Sequence, residues 1–85
     1  MRTFTYTIKD ELGIHARPAG MLAKTAKTLD SEITISLGEK SAVATKLMAL
    51  MGMGIKCGNT ITVTIAGGDE AASEKVMQEF FESNL

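Results

Sequence analysis

His15 has the clearest claim to covalent chemistry in this chain, which contains one histidine and one cysteine. Its neighbours make the claim specific: Arg17 follows two positions later and Pro18 three. Proline suits the first turn of a helix, where its missing N–H is not needed, so a helix is expected to start near His15 or Ala16. The imidazole then stands where unpaired backbone N–H groups and the positive end of the helix dipole favour an anion. Backbone donors from Ala16 and Arg17, with the Arg17 guanidinium beside them, describe a place prepared for a phosphoryl group on a ring nitrogen.

Nothing hydrolytic accompanies His15. No carboxylate pair or nucleotide-binding glycine loop surrounds it, and a single cysteine with a single histidine rules out a Cys–His metal cluster. The chain is therefore read as receiving and handing on a phosphate, with no metal, no cofactor and no independent turnover of a small molecule. Cys57, between Lys56 and Gly58, is read as an unpaired loop thiol with no redox role. The competing reading of the chain is a plain scaffold or interaction domain in which His15 merely caps a helix.

The elements that must position His15 are legible as changes of period. Phe4, Tyr6 and Ile8 alternate with Thr3, Thr5, Thr7 and Lys9, the pattern of a half-buried strand. Asp10 to Gly13 breaks it. Ala19, Leu22, Ala23, Ala26 and Leu29 then fall on one helical stripe, with Lys24 and Lys27 on the opposite side. Alternation returns at Ile33, Ile35 and Leu37, stops at Gly38-Glu39-Lys40, and resumes through Ala42, Val43 and Ala44, which reads as a hairpin of unspecified turn type. Leu47 to Met53 reads as a short methionine-rich helix closed by Gly52 and Gly54. A last strand places Ile61, Val63 and Ile65 inward, and Asp69 offers an N-cap to a final helix with Ala72, Val76 and Phe80 on one face.

The order is strand, helix, strand, strand, helix, strand, helix. Every strand has one apolar face, so the expected architecture is a two-layer α/β (α+β) sandwich, an antiparallel sheet covered by helices on one side and open on the other. With 85 residues, of which 45% are hydrophobic and 22% charged, residues 1–85 are expected to form a single domain. The formal net charge of −1 lacks the basic excess of a nucleic-acid binder. No apolar run approaches the ~20 residues of a membrane span, and the first residues alternate instead of forming a signal-peptide stretch, so the chain is read as cytoplasmic.

The segment Gly13-Ile14-His15-Ala16-Arg17-Pro18-Ala19 resembles the active-site motif of the HPr phosphocarrier family. The similarity continues without a gap through Gly38, through Leu47-Met48-Ala49-Leu50-Met51-Gly52 and on to Gly58, and the element order covers the whole chain. The resemblance implies a sheet ordered 1-4-2-3 with three helices on one face. It also implies that enzyme I of the sugar phosphotransferase system, charged by phosphoenolpyruvate, phosphorylates Nδ1 of His15. His15 would then donate to the IIA domains of sugar permeases, with Arg17 stabilising the phosphoryl group and the carrier acting as a monomer.

Relatives present partners with a shallow surface made by the first two helices. That surface maps here onto Pro18, Gly20, Met21, Lys24, Lys27, Lys46, Leu47, Met48, Met51 and Gly54. Exposed methionines suit such a role because they are flexible and polarizable. One departure is Lys46, which stands where many relatives carry a serine phosphorylated by a regulatory kinase, so that regulation is not carried over to this chain. The alternative within the family is a regulatory module of the same fold without phosphotransfer. Such members replace the active histidine, and this chain keeps it.

Overall fold

The structure is a computed structural model and describes all 85 residues. Strand β1 spans Arg2–Thr7, helix α1 Ala16–Lys27, strands β2 and β3 Glu32–Leu37 and Lys40–Val43, helix α2 Leu47–Gly52, strand β4 Thr60–Ala66 and helix α3 Glu70–Asn84. The four strands form one antiparallel sheet in the order β1-β4-β2-β3. Expected architecture and strand order are both found. Glycine at position 38 turns the β2–β3 hairpin with φ of 60°, a conformation other residues adopt only with strain.

The register explains why the two faces differ. Phe4 and Ile35 both lie opposite Val63, and Ile35 opposite Ala42, so one face is a continuous apolar row. On the other face Thr3 and Thr34 flank Thr64, and Thr5 and Ser36 flank Thr62. Threonine keeps the β-branched shape that strands favour while its hydroxyl can face water. The apolar face joins α1, α2 and α3 in one core containing Leu22, Ile33, Ile35, Leu50, Ile61, Val63, Met77 and Phe81. Phe81 stacks on Tyr6 at 5.5 Å between ring centroids and meets Phe4 edge-on at 6.1 Å, which clamps α3 over the edge strand β1. Burial and the nearby Glu82 carboxylate raise the pKa of the Tyr6 hydroxyl above its ordinary value.

The face of α3 departs from the sequence reading. Ala72 is exposed and Val76 half-buried, whereas Ser73, Met77, Phe80 and Phe81 are buried. Ser73 was absent from the predicted stripe because serine is polar. Its burial is made tolerable by a hydrogen bond with Ser31 at 2.8 Å, and the Ser31 hydroxyl donates to the Gly67 carbonyl at 2.6 Å, which leaves Ser73 as the donor to Ser31. Asp69 caps α3 as expected, accepting the Ala72 N–H at 3.2 Å.

Between β1 and α1 the chain is held from two sides. The Ile14 N–H donates to the Ile55 carbonyl at 3.1 Å, and the Asp10 N–H donates to the Leu85 backbone oxygen at 2.8 Å. Gly13, at φ 69°, passes so close to the Ile55–Lys56 backbone that a Cβ there would overlap it. Gly13→Ala is therefore expected to lose more than about 2 kcal/mol of stability, the left-handed conformation and the clash adding together, in a urea titration. A loss below about 0.5 kcal/mol would show that the segment relaxes freely.

A second expectation concerns acid. Glu70 accepts from the Met1 ammonium at 2.8 Å and from the Gly67 N–H at 2.8 Å, and these contacts hold its carboxyl below the ordinary carboxylate range. A carboxyl whose pKa is lower folded than unfolded contributes stability above its unfolded value, and loses it as pH falls through the folded one. Glu70→Gln should therefore be less stable than the parent near pH 6, with the difference shrinking as pH falls below the ordinary carboxylate range in parallel denaturation curves. A difference that persists or grows in acid would contradict the assignment.

Candidate functional site

Helix α1 opens at Ala16 with His15 as its N-cap, in an extended conformation (φ −103°, ψ −174°) and with no capping hydrogen bond from the imidazole. The ring is thus not committed to the helix it precedes. The His15 carbonyl accepts the Ala19 N–H at 2.9 Å, and Pro18 has no N–H to give. Ala16 and Arg17 are left as the first-turn donors without an intrahelical partner. Pro18 and Ala19 are buried, which anchors the turn, while Ala16 and Arg17 are exposed and His15 half-exposed. Anchored backbone, free donors and an available imidazole coincide at one point.

That point is the rim of an open cleft of about 220 Å³, lined by Asp10, His15, Arg17, Pro18, Met21, Ser83 and Asn84. One wall is the start of α1. The other is Asp10 together with the last turn of α3. Asp10 Oδ1 accepts the Leu12 N–H at 2.9 Å, its carbonyl accepts the Gly13 N–H at 2.9 Å, and Asn84 Nδ2 donates to the Phe80 carbonyl at 3.0 Å. Arg17 takes part in neither ion pair of the structure, which join Met1 to Glu70 and Arg2 to Glu74.

Of the surface residues expected from the resemblance, Met21, Leu47 and Met51 are about two-fifths exposed and Met48 is 78% exposed. Those four side chains are outside the core, although methionines at helical spacing are usually inside it. Lys24, Lys27, Lys46 and Gly54 are exposed and Gly20 half-buried, whereas Pro18 is buried although it lines the cleft. Lys46 is the N-cap of α2, without a side-chain capping bond. Helices α1 and α2 pack against each other, which brings the two groups of exposed side chains onto neighbouring elements.

The sequence reading missed Asp10, Leu12, Ser83 and Asn84. Leu12 is 72% exposed in the loop before His15, a single apolar residue with no periodicity to mark it. Asp10, three residues before Gly13, carried a turn signal that could have placed it here, since an aspartate often accepts the N–H two positions on. Ser83 and Asn84 carried none, being brought to His15 only by the packing of α3.

Fold and cleft together define an open-faced sandwich with a histidine presented at the start of its first helix. The sequence model of a family described as PTS HPr component phosphorylation site matches residues 2–83. The phosphocarrier protein HPr of Mycoplasma capricolum is 38% identical over 86 residues, covering 100% of this chain and 97% of that protein. A Mycoplasma histidine-containing phosphocarrier protein of known structure superposes with a TM-score of 0.92 at 35% identity, covering 96% of this chain and 93% of that one. HPr-C-His from Thermoanaerobacter tengcongensis gives 0.91 at 32% identity, covering 98% and 93%. The chain belongs to the HPr family, the histidine phosphocarriers of the phosphotransferase system.

The exposure of Arg17 yields a stability expectation. A cation in the first turn of a helix is opposed by the helix dipole, and α1 has no acidic residue there to balance it. Arg17→Ala should leave unfolding free energy within about 0.5 kcal/mol of the parent, or raise it slightly. Loss of more than about 1 kcal/mol in a denaturant titration would mean that the guanidinium holds the fold.

Proposed function

We propose that His15 accepts a phosphoryl group from phospho-enzyme I and delivers it to IIA domains of sugar permeases, in the cytoplasm and as a monomer. The observation that supports this most is the uncommitted imidazole at the α1 N-cap, beside the free N–H groups of Ala16 and Arg17. The lone pair of Nδ1 forms the new P–N bond as the donor's bond to phosphorus breaks, and the donor keeps that bond's electron pair. Delivery reverses the roles: the P–N bond breaks, its electrons return to Nδ1, and phosphorus bonds to the nucleophile of the acceptor. Phosphoryl transfer asks a protein mainly for positioning and for charge placed against the phosphoryl oxygens. Here the buried Pro18 and Ala19 hold the position, and the Ala16 and Arg17 N–H groups with the Arg17 guanidinium supply the charge.

Docking in this reading uses the exposed Met21 of α1 with Leu47, Met48 and Met51 of α2, and Lys24, Lys27 and Lys46 steer acidic faces. Lys46 cannot take a phosphoryl group as a serine does, so the kinase-regulated branch does not apply to this position.

Incubation with enzyme I and phosphoenolpyruvate should add one acid-labile, base-stable phosphoryl group. His15→Ala should fold and accept none, and Arg17→Ala should slow transfer in both directions by roughly ten- to a hundredfold, about 1.4 to 2.8 kcal/mol of barrier. Full phosphorylation of His15→Ala would sink the assignment.

A further inference from the structure

The cleft beside His15 has two walls of opposite electrostatic sign. The α1 wall carries the Arg17 guanidinium and the positive end of a 12-residue helix. The facing wall carries the Asp10 carboxylate and the last turn of the 15-residue α3, the negative end of that helix. Asp10 is held there by three contacts: its N–H donates to the Leu85 backbone oxygen at 2.8 Å, its carbonyl accepts from Gly13 at 2.9 Å and Oδ1 accepts from Leu12 at 2.9 Å. A turn needs only a polar acceptor at this position, and asparagine would serve it equally well. The negative charge is therefore not explained by the turn.

We propose that the Asp10 carboxylate, backed by the C-terminal end of α3, raises the phosphoryl-transfer potential of His15 by destabilising its phosphorylated form. The inference rests on His15 being the phosphoacceptor. A phosphoryl group on the imidazole brings about −1.5 to −2 charge into the cleft near neutral pH, where the donors on the α1 wall stabilise it. Donors alone would also trap it, because stabilising a bound group without favouring its departure slows the next transfer. The Asp10 carboxylate opposes that excess. The repulsion is relieved as the phosphorus moves away from Nδ1 toward a docked acceptor, so the energy stored in the loaded carrier assists delivery. Asp10 touches no reacting atom in this scheme and acts on the phosphoryl group through its field, as a residue that sets a potential. Coulomb's law for one carboxylate against such a charge, across an open and hydrated cleft, corresponds to roughly a three- to tenfold effect that weakens as salt screens it.

The decisive measurement is the equilibrium ratio of phosphorylated to free protein with enzyme I at fixed phosphoenolpyruvate and pyruvate concentrations, read by phosphorus NMR at low and high salt. Asp10→Asn keeps an acceptor for the Leu12 N–H and removes the charge. It should raise that ratio three- to tenfold at low salt, with the gain shrinking at high salt. Ser83→Asp adds a carboxylate to the same wall from α3 and should lower the ratio by a similar factor. A structural role for Asp10 would reduce stability in denaturation without moving the ratio in these opposite, salt-dependent directions. An unchanged or lowered ratio in Asp10→Asn, with the parent shown to carry its phosphoryl group on His15, overturns this inference alone. Failure of the parent to accept a phosphoryl group at His15 overturns the reading beneath it as well.

Discussion

The path of the chain from Lys9 to His15 is the constraint on which the rest of this structure turns. It must leave an edge strand, reverse, and arrive at a helix with the imidazole outside the first turn. Backbone bonds to Ile55 on one side and Leu85 on the other fix that path, and Gly13 permits it because a side chain there would overlap the Ile55–Lys56 backbone. Both contacts come from distant segments, the loop after α2 and the end of α3. The site therefore forms only when the sheet and all three helices have come together, which ties the presentation of His15 to the integrity of the whole core.

The division of labour within the molecule follows from that tie. Stability resides in the buried face: isoleucine and valine rows of the sheet, Leu22, Leu50 and Met77 from the helices, and Phe81 locking α3 over β1. Almost nothing of the cleft contributes to it, since Arg17 is exposed and the His15 ring makes no capping bond. Such separation lets a small domain place groups against a transferred charge without compromising a core of limited size. The exposed methionines extend the same arrangement. Met53 and Met77 stay in the core, whereas Met21, Met48 and Met51 present flexible, polarizable side chains on neighbouring helices.

Local rules were enough for much of this. Alternation gave β1, β2 and β4 their inward residues and marked β3 only weakly, Pro18 located the start of α1, and Asp69 the start of α3. The motif around His15 identified the family to which the comparisons assign the chain. The pattern failed at Ser73, because hydropathy registers a hydroxyl as solvent-seeking, while the fold supplies it with Ser31 and makes it core. It failed at Asp10 for the converse reason: a turn residue became a charged wall of the cleft because α3 ends beside it.

By itself, then, the sequence determined what depends on near neighbours: element type and order, the helix start beside His15, and the unpaired N–H groups of Ala16 and Arg17. Strand order came from resemblance alone, because hydrogen bonding between antiparallel strands is the same whichever strand is adjacent. Only the tertiary structure decided which residues face His15 across the cleft. Ser83 and Asn84 lie nearly seventy positions away along the chain, and no local propensity encodes so long a closure; packing of α3 against β1 and β4 brings them there, with the negative end of one helix beside the positive end of another.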